Sequence, residues 1–274
     1  MKKIISFSLY GNKPNFQIGA LVNIIEAKRV YPDWKCRFYT TDNETVCNQL
    51  EYLGAEIIRM DDWPDGNMFW RFLAVDDADI CLSRDADSVV NEREAAAVNE
   101  WLEETGHQWH AMHDWKGHRK VSMMGGMWGY RHYEHKSQTQ GDRYFFNFRE
   151  NSIKDMIDKW LLSGNSSVGR GADQEFLGKC IYAGKAERHN VKWSGDWMNA
   201  SGNNFPPHYP IRYGNFVGDY AFWEKEWTER VHTDKWLIDT IKEMIKNGWS
   251  SNTLIEIMTS VKNIIRRCGG KVED

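Results

Sequence analysis

Asp79-Ile80-Cys81-Leu82-Ser83-Arg84-Asp85-Ala86-Asp87 is a short apolar run that closes on charge. With no glycine or proline inside it, residues 79–83 read as a buried β-strand. The two carboxylates of Asp85 and Asp87, at i and i+2, then project to one side where the strand ends. Working outward, strand-like runs at 3–8, 35–39 and 55–59 alternate with helical spacing at 17–30 and 43–53, the latter stopped by Gly54. A turn-rich loop at 61–66 and a helical stretch at 68–75 lead back to the first strand quoted. Strands alternating with helices predict parallel β-α-β units, hence an α/β fold with a mostly parallel central sheet flanked by helices.

Ligands of open α/β sheets bind outside the carboxyl ends of the strands, where Asp85 and Asp87 stand. Two carboxylates there repel unless a cation lies between them, and Mg2+ or Mn2+ is typically held by one or two carboxylates plus substrate phosphates. The same spacing also recurs in acidic loops that bind nothing. Beyond Asp87 the pattern is less regular: a helix at 92–103, a strand at 108–112, helices at 152–162 and 172–180, and a long irregular segment at 190–210. Two amphipathic helices, 232–247 and 252–267, follow.

The chain has 274 residues, with 35 Lys and Arg against 39 Asp and Glu and a net charge of −4. These charges are interspersed, which excludes a protein that grips nucleic acid through a basic face. Five cysteines without a C-x-x-C pair argue against a disulfide scaffold or a structural zinc module. Met1-Lys2-Lys3 followed by an apolar stretch mimics the start of a signal peptide, but polar residues from Gly11 and the lack of a cleavage site favour a first strand and a cytoplasmic protein. No window approaches the roughly 18 apolar residues of a membrane span. The 14 Trp, 11 Tyr and 12 Phe fit a protein that stacks on planar bases or on the apolar faces of sugars.

Three blocks carry a family resemblance. They are Phe69-Trp70-Arg71-Phe72 with Ser83-Arg84-Asp85-Ala86-Asp87-Ser88 and Arg93 to Leu102; Met112-His113-Asp114-Trp115, His118 and Gly125-Gly126-Met127-Trp128-Gly129; and Gly171-Ala172-Asp173-Gln174, with Phe216-Val217-Gly218 after it. Together they resemble nucleotide-sugar-dependent glycosyltransferases of the GT-A fold (Rossmann-like) with a D-x-D motif, in particular the small enzymes of chlorella viruses and related bacterial domains. The resemblance runs from about Ile4 to Gly218. It implies a GT-A glycosyltransferase domain at 1–220 with a helical C-terminal extension at 221–274 packed on it.

By the same resemblance, Ser8, Leu9, Tyr10 and Gly11 hold the nucleoside, Arg71 lies near the pyrophosphate, and Asp85 and Asp87 bind Mn2+ or Mg2+. A downstream histidine completes the metal site, with His189 preferred to His208. Asp173-Gln174 resembles the pair that glycogenin and bacterial galactosyltransferases place beside the anomeric carbon, with Asp114 the rival catalytic carboxylate; by that analogy the reaction is retaining. The implied partners are a nucleotide-sugar donor, most simply a UDP-sugar, and a glycan acceptor. Gly126, Met127 and Trp128 are expected at the sugar or acceptor, the glycines for close approach and Trp128 as an aromatic plate; a tight turn packing Trp128 into the core is the equal alternative.

Two other function classes stay open: a sugar-nucleotide nucleotidyltransferase, which normally carries a basic glycine-rich loop that Gly11-Asn12-Lys13-Pro14 matches poorly, and a non-catalytic carbohydrate-binding module. The last helix allows membrane contact, although packing on the domain or on a second copy is favoured. Oligomeric state is not legible.

Overall fold

The computed structural model describes residues 1–11, 13–42, 44–104, 106–132, 152–167, 169–181, 187–190, 203–206, 216–219 and 259. The expected helix at 232–247, all but residue 259 of the one at 252–267, and the boundary at 220/221 lie outside the described residues. No helix among those described is long and apolar enough to cross a membrane.

Seven strands form one sheet: β1 (Lys3–Leu9), β2 (Lys35–Thr40), β3 (Glu56–Arg59), β4 (Ile80–Arg84), β5 (Trp109–His113), β6 (Met127–Arg131) and β7 (Glu187–Asn190). Their order is β3-β2-β1-β4-β6-β5-β7. All pairings are parallel except those of β6, which runs antiparallel to both β4 and β5. This is the mostly parallel α/β class expected. β6 and β7 were not: 125–129 reads as a glycine-rich stretch, and no element is expected between 180 and 190, where β7 lies.

The helices are α1 (Pro14–Val30), α2 (Glu44–Tyr52), α3 (Glu92–Glu104), α4 (Ile153–Leu162) and α5 (Ala172–Phe176). Proline at its start and Lys28 and Arg29 in its last turn suit α1 to the helix dipole. Residues 70–76 form a 3-10 helix, and α5 passes into a π-turn at Leu177–Ile181, which breaks the longer helix expected at 172–180.

Strand parity sorts the core into two layers. Ile5, Phe7, Leu9, Ile80 and Leu82 pack with α1, α2 and α3; Ile4, Cys81, Trp128 and Tyr130 pack with the 70–76 helix, α4 and α5. Residues 81, 83 and 85 therefore share the second face. At the carboxyl end of β4, α1 comes close because Gly19 has no side chain: a Cβ there would lie 1.9 Å from the Ala86 carbonyl oxygen. One turn on, the Asn23 amide donates to the carbonyls of Gly19 (2.9 Å) and Ser88 (2.6 Å), and Val90 N–H donates to its oxygen (3.0 Å). A buried amide on an apolar helix face thus clamps the loop that carries Asp85 and Asp87.

Candidate active site

A cleft of about 450 Å³ opens at the carboxyl ends of β1 and β4. Its floor is built around Arg71, which the 70–76 helix buries against β1; the Arg71 N–H donates to Ser8 Oγ at 3.0 Å. One Nη of the guanidinium donates to Asp85, and the other to Asp173 Oδ2 at 2.6 Å. Two segments 88 residues apart in sequence, β4 and α5, are thereby tied to one cation.

Glycines 125 and 126 make room for this arrangement. A Cβ on Gly125 would lie 1.8 Å from Asp173 Oδ2 and 2.5 Å from an Arg71 nitrogen, and one on Gly126 would lie 2.1 Å from Asp85 Oδ2. The close approach expected of these glycines is made to the protein's own carboxylates.

One arginine faces three carboxylates, Asp85, Asp87 and Asp173. Burial, reinforced by the charge of Asp85, pushes the Asp87 carboxyl up to about 7. Burial also raises Asp173, against the lowering effect of Arg71. Such a set suits a hard divalent cation: Asp85 keeps its second oxygen beside Gly126, Asp87 lines the same cleft, and both offer oxygen donors. Among the described residues no group of three or more His, Cys, Asp or Glu side chains is placed to hold a metal. Two carboxylates with the remaining positions left to phosphates and water is a common arrangement for Mg2+.

The other expected residues divide. Ser8, Tyr10 and Gln174 line the cleft; Tyr10 stands edge-on to Trp70 with ring centroids 5.8 Å apart. Leu9 does not line it, because strand parity turns it into the α1 layer, where it is fully buried. Gly11 makes an exposed turn with φ +84° ahead of α1, outside the cleft lining. Met127 and Trp128 are buried on opposite faces of β6. Trp128 packs against Phe72 and Trp109, so the tight-packing alternative holds for it and the aromatic plate does not.

His189 is also misplaced as a metal ligand. It faces α3, fully buried, with Nδ1 2.9 Å from His110 Nε2 and Nε2 3.2 Å from Glu100. Three strand spacings separate β7 from β4, about 14 Å, and Asp173 lies on the other face. His208 lies outside the described residues.

Asp114 has both oxygens engaged, one at 2.7 Å and one at 2.8 Å from the Arg93 guanidinium, and it also accepts the Val217 N–H at 3.1 Å. It clasps α3 to the 216–219 segment and does not line the cleft. Sequence reasoning missed other lining residues, among them Phe16, Lys120, Arg170 and Asp219. Lys120 and Arg170 are exposed cations with no ion pair to any described residue, at a site otherwise rich in acid.

No family model matches the chain, and no curated protein matches it. Solved structures with a similar chain path include glucosyl-3-phosphoglycerate synthase from Mycobacterium tuberculosis in complex with Mn2+, UDP-glucose and glycerol 3-phosphate (TM-score 0.34, 13% identity, covering 47% of this chain and 56% of that one). A mannosyltransferase from Pyrobaculum calidifontis in complex with GDP-Man and Mn2+ aligns at TM-score 0.44 and 10% identity, over 96% of this chain and 69% of that one. An active-site mutant of LgtC aligns at 0.42 and 15%, over 83% and 94%. The chain thus spans little more than half the length of the synthase.

Proposed function

We propose that this chain is a metal-dependent glycosyltransferase that moves a sugar from a nucleotide diphosphate donor, a UDP-sugar, to a glycan hydroxyl. The observation that carries the reading is the convergence of Asp85 and Asp173 on Arg71, with Asp87 lining the same cleft, at the carboxyl ends of β1 and β4. The motif blocks that resemble GT-A enzymes supply all four of these residues, with Arg71, Asp85 and Asp87 in the first block and Asp173 in the third.

In this mechanism Asp85 and Asp87 would hold Mn2+ or Mg2+, which when bound neutralises negative charge developing on the departing diphosphate. Arg71 holds Asp85 and Asp173 in fixed relation and compensates part of their charge. Tyr10 and Ser8 at the end of β1 bound the nucleoside end. Asp173 faces the sugar and stabilises positive charge on its ring, with Gln174 beside it; a retaining outcome is proposed by analogy with the Asp-Gln pair of glycogenin and bacterial galactosyltransferases. Asp114, with both oxygens held by Arg93, is not available as a base.

The test is release of nucleoside diphosphate from a panel of UDP- and GDP-sugars with Mn2+, with and without simple glycoside acceptors. Turnover of one donor, lowered about 100-fold or more in Asp173→Asn, is expected if that carboxylate stabilises the transition state. Turnover unaffected by Asp173→Asn contradicts its assignment, and no turnover of any donor contradicts the activity.

A further inference from the structure

Trp115 is the exposed tryptophan of the described chain, with 43% of its surface open, and it lines the same cleft as Asp85 and Asp173. It is not loose. Its ring stacks on Phe216 at 5.2 Å between centroids and 6° between planes, and His118 stands edge-on to both, at 5.6 and 5.3 Å. The indole also lies over Gly117, where a Cβ would come within 2.0 Å of it. Asp114 fixes the two chain segments that carry the stack, as the neighbour of Trp115 and as acceptor from Val217 N–H. Gly218, at φ +81°, lets the second segment turn against Met127.

An exposed, rigid indole in a cleft of carboxylates and cations suits a ligand that is apolar on one face and polar around its rim. A pyranose ring has that character: its C–H face packs on an aromatic plane, and its hydroxyls reach acidic oxygens. Two aromatic groups from different segments line the cleft: Tyr10 and Phe16 from the end of β1 and the start of α1, and Trp115, His118 and Phe216 from the segments after β5 and at 216–219. The charge of Asp85 acts on one residue of each group, Tyr10 and His118. With the nucleoside at the Tyr10 group, the Trp115 group is left for the other substrate.

We infer that the Trp115–Phe216 stack is the platform on which the acceptor's terminal sugar ring lies, and that the role once expected of Trp128 belongs to it. This inference rests on the glycosyltransferase reading of the cleft, and its test separates the two. Methyl glycosides of glucose, galactose, mannose and fucose are examined by saturation-transfer NMR against the wild type and against Trp115→Ala, Trp115→Phe and Phe216→Ala, in UDP and Mg2+. Each variant's fold is checked by thermal melting.

At least one glycoside is expected to bind the wild type, with saturation strongest on the protons of one ring face. Binding should fall about tenfold in Trp115→Ala and in Phe216→Ala, and stay within a few-fold in Trp115→Phe, which keeps an aromatic plane. Equal binding by wild type and the folded alanine variants overturns the platform, as does failure of every glycoside to bind the wild type. Loss of UDP affinity in Trp115→Ala with glycoside binding intact assigns the stack to the nucleobase and overturns it too. Wild-type protein that binds glycoside through Trp115 but shows no metal-dependent UDP binding keeps the platform and removes the donor site.

Discussion

Arg84 and Asp85 are consecutive residues, and strand parity sends them to opposite faces of the sheet, one into a buried polar cluster and the other into the polar lining of an open cleft. Arg84 points under α3. There its Nε donates to Glu94 at 3.0 Å, its Nη1 donates to the carbonyls of Ser83 and Trp128, and Tyr31 donates to the same Glu94 oxygen at 3.1 Å. Arginine and carboxylate are each about 97% buried, and the cation is matched by one anion. Asp85 points the other way, into a cleft where the buried Arg71 is set among Asp85, Asp87 and Asp173, and where Asp219 and the exposed Lys120 and Arg170 complete a lining of four carboxylates and three cations. A buried pair holds together because each partner compensates the other's desolvation; a surplus of like charge does the reverse. The closed cluster is therefore what folding alone would select, and the open one keeps a negative excess that has a use only when a cation arrives.

Cutting the closed cluster gives the largest expected effect. Glu94→Ala leaves Arg84 buried without its anion and should cost about 3–5 kcal/mol of stability in denaturant unfolding. A cost below about 1 kcal/mol would show that the two clusters do not differ in this way. On the open side, Gly125→Ala inserts a methyl against Asp173 and Arg71. It should weaken metal-dependent UDP binding at least about tenfold, a 1.4 kcal/mol change, while the melting temperature moves little.

A smaller effect sharpens the contrast on the closed face. Burial, and then the neighbouring His189, holds His110 well below the usual histidine value, so it is neutral in the native state and takes up a proton in the unfolded chain below about pH 6.5. With the folded value depressed, stability is lost as pH falls through 6.5, by at most about 1.4 kcal/mol per unit for this group. His110→Phe should remove that share of the acid slope between pH 7.5 and 5.5 when unfolding free energies are compared. An unchanged slope would show that His110 is protonated in the native state.

The parts legible in the sequence were those set by local pattern. β1 to β4 and the helices between them follow from periodicity and stop signals, and Asp85, Asp87, Arg71 and Asp173 stand in blocks whose chemistry is readable from their residue types. What was missed depends on partners far along the chain. β6 begins in a glycine-rich stretch and pairs antiparallel on both sides, so the sequence leaves Trp128 evenly between an aromatic plate and core packing, and parity places it in the core. β7 has only four residues, Glu187–Asn190, and exists because β5 offers an edge. Spacing along the chain could not say that His189 faces α3, nor that Leu9 turns away from the cleft. Asp114 read as a candidate base because its two fixed partners, Arg93 and Val217, lie 21 and 103 residues away.

The central claim is that the unbalanced carboxylates of the cleft exist to hold a divalent cation together with a nucleotide diphosphate. Calorimetric titration of the wild type with UDP, with and without Mn2+, and then of Asp87→Ala, tests it directly. Binding is expected to require the metal and to weaken about 100-fold or more in the variant, beyond the roughly 10- to 100-fold typical of residues that only support a metal ligand. UDP binding of equal strength with and without Mn2+, or unchanged in Asp87→Ala, would contradict it.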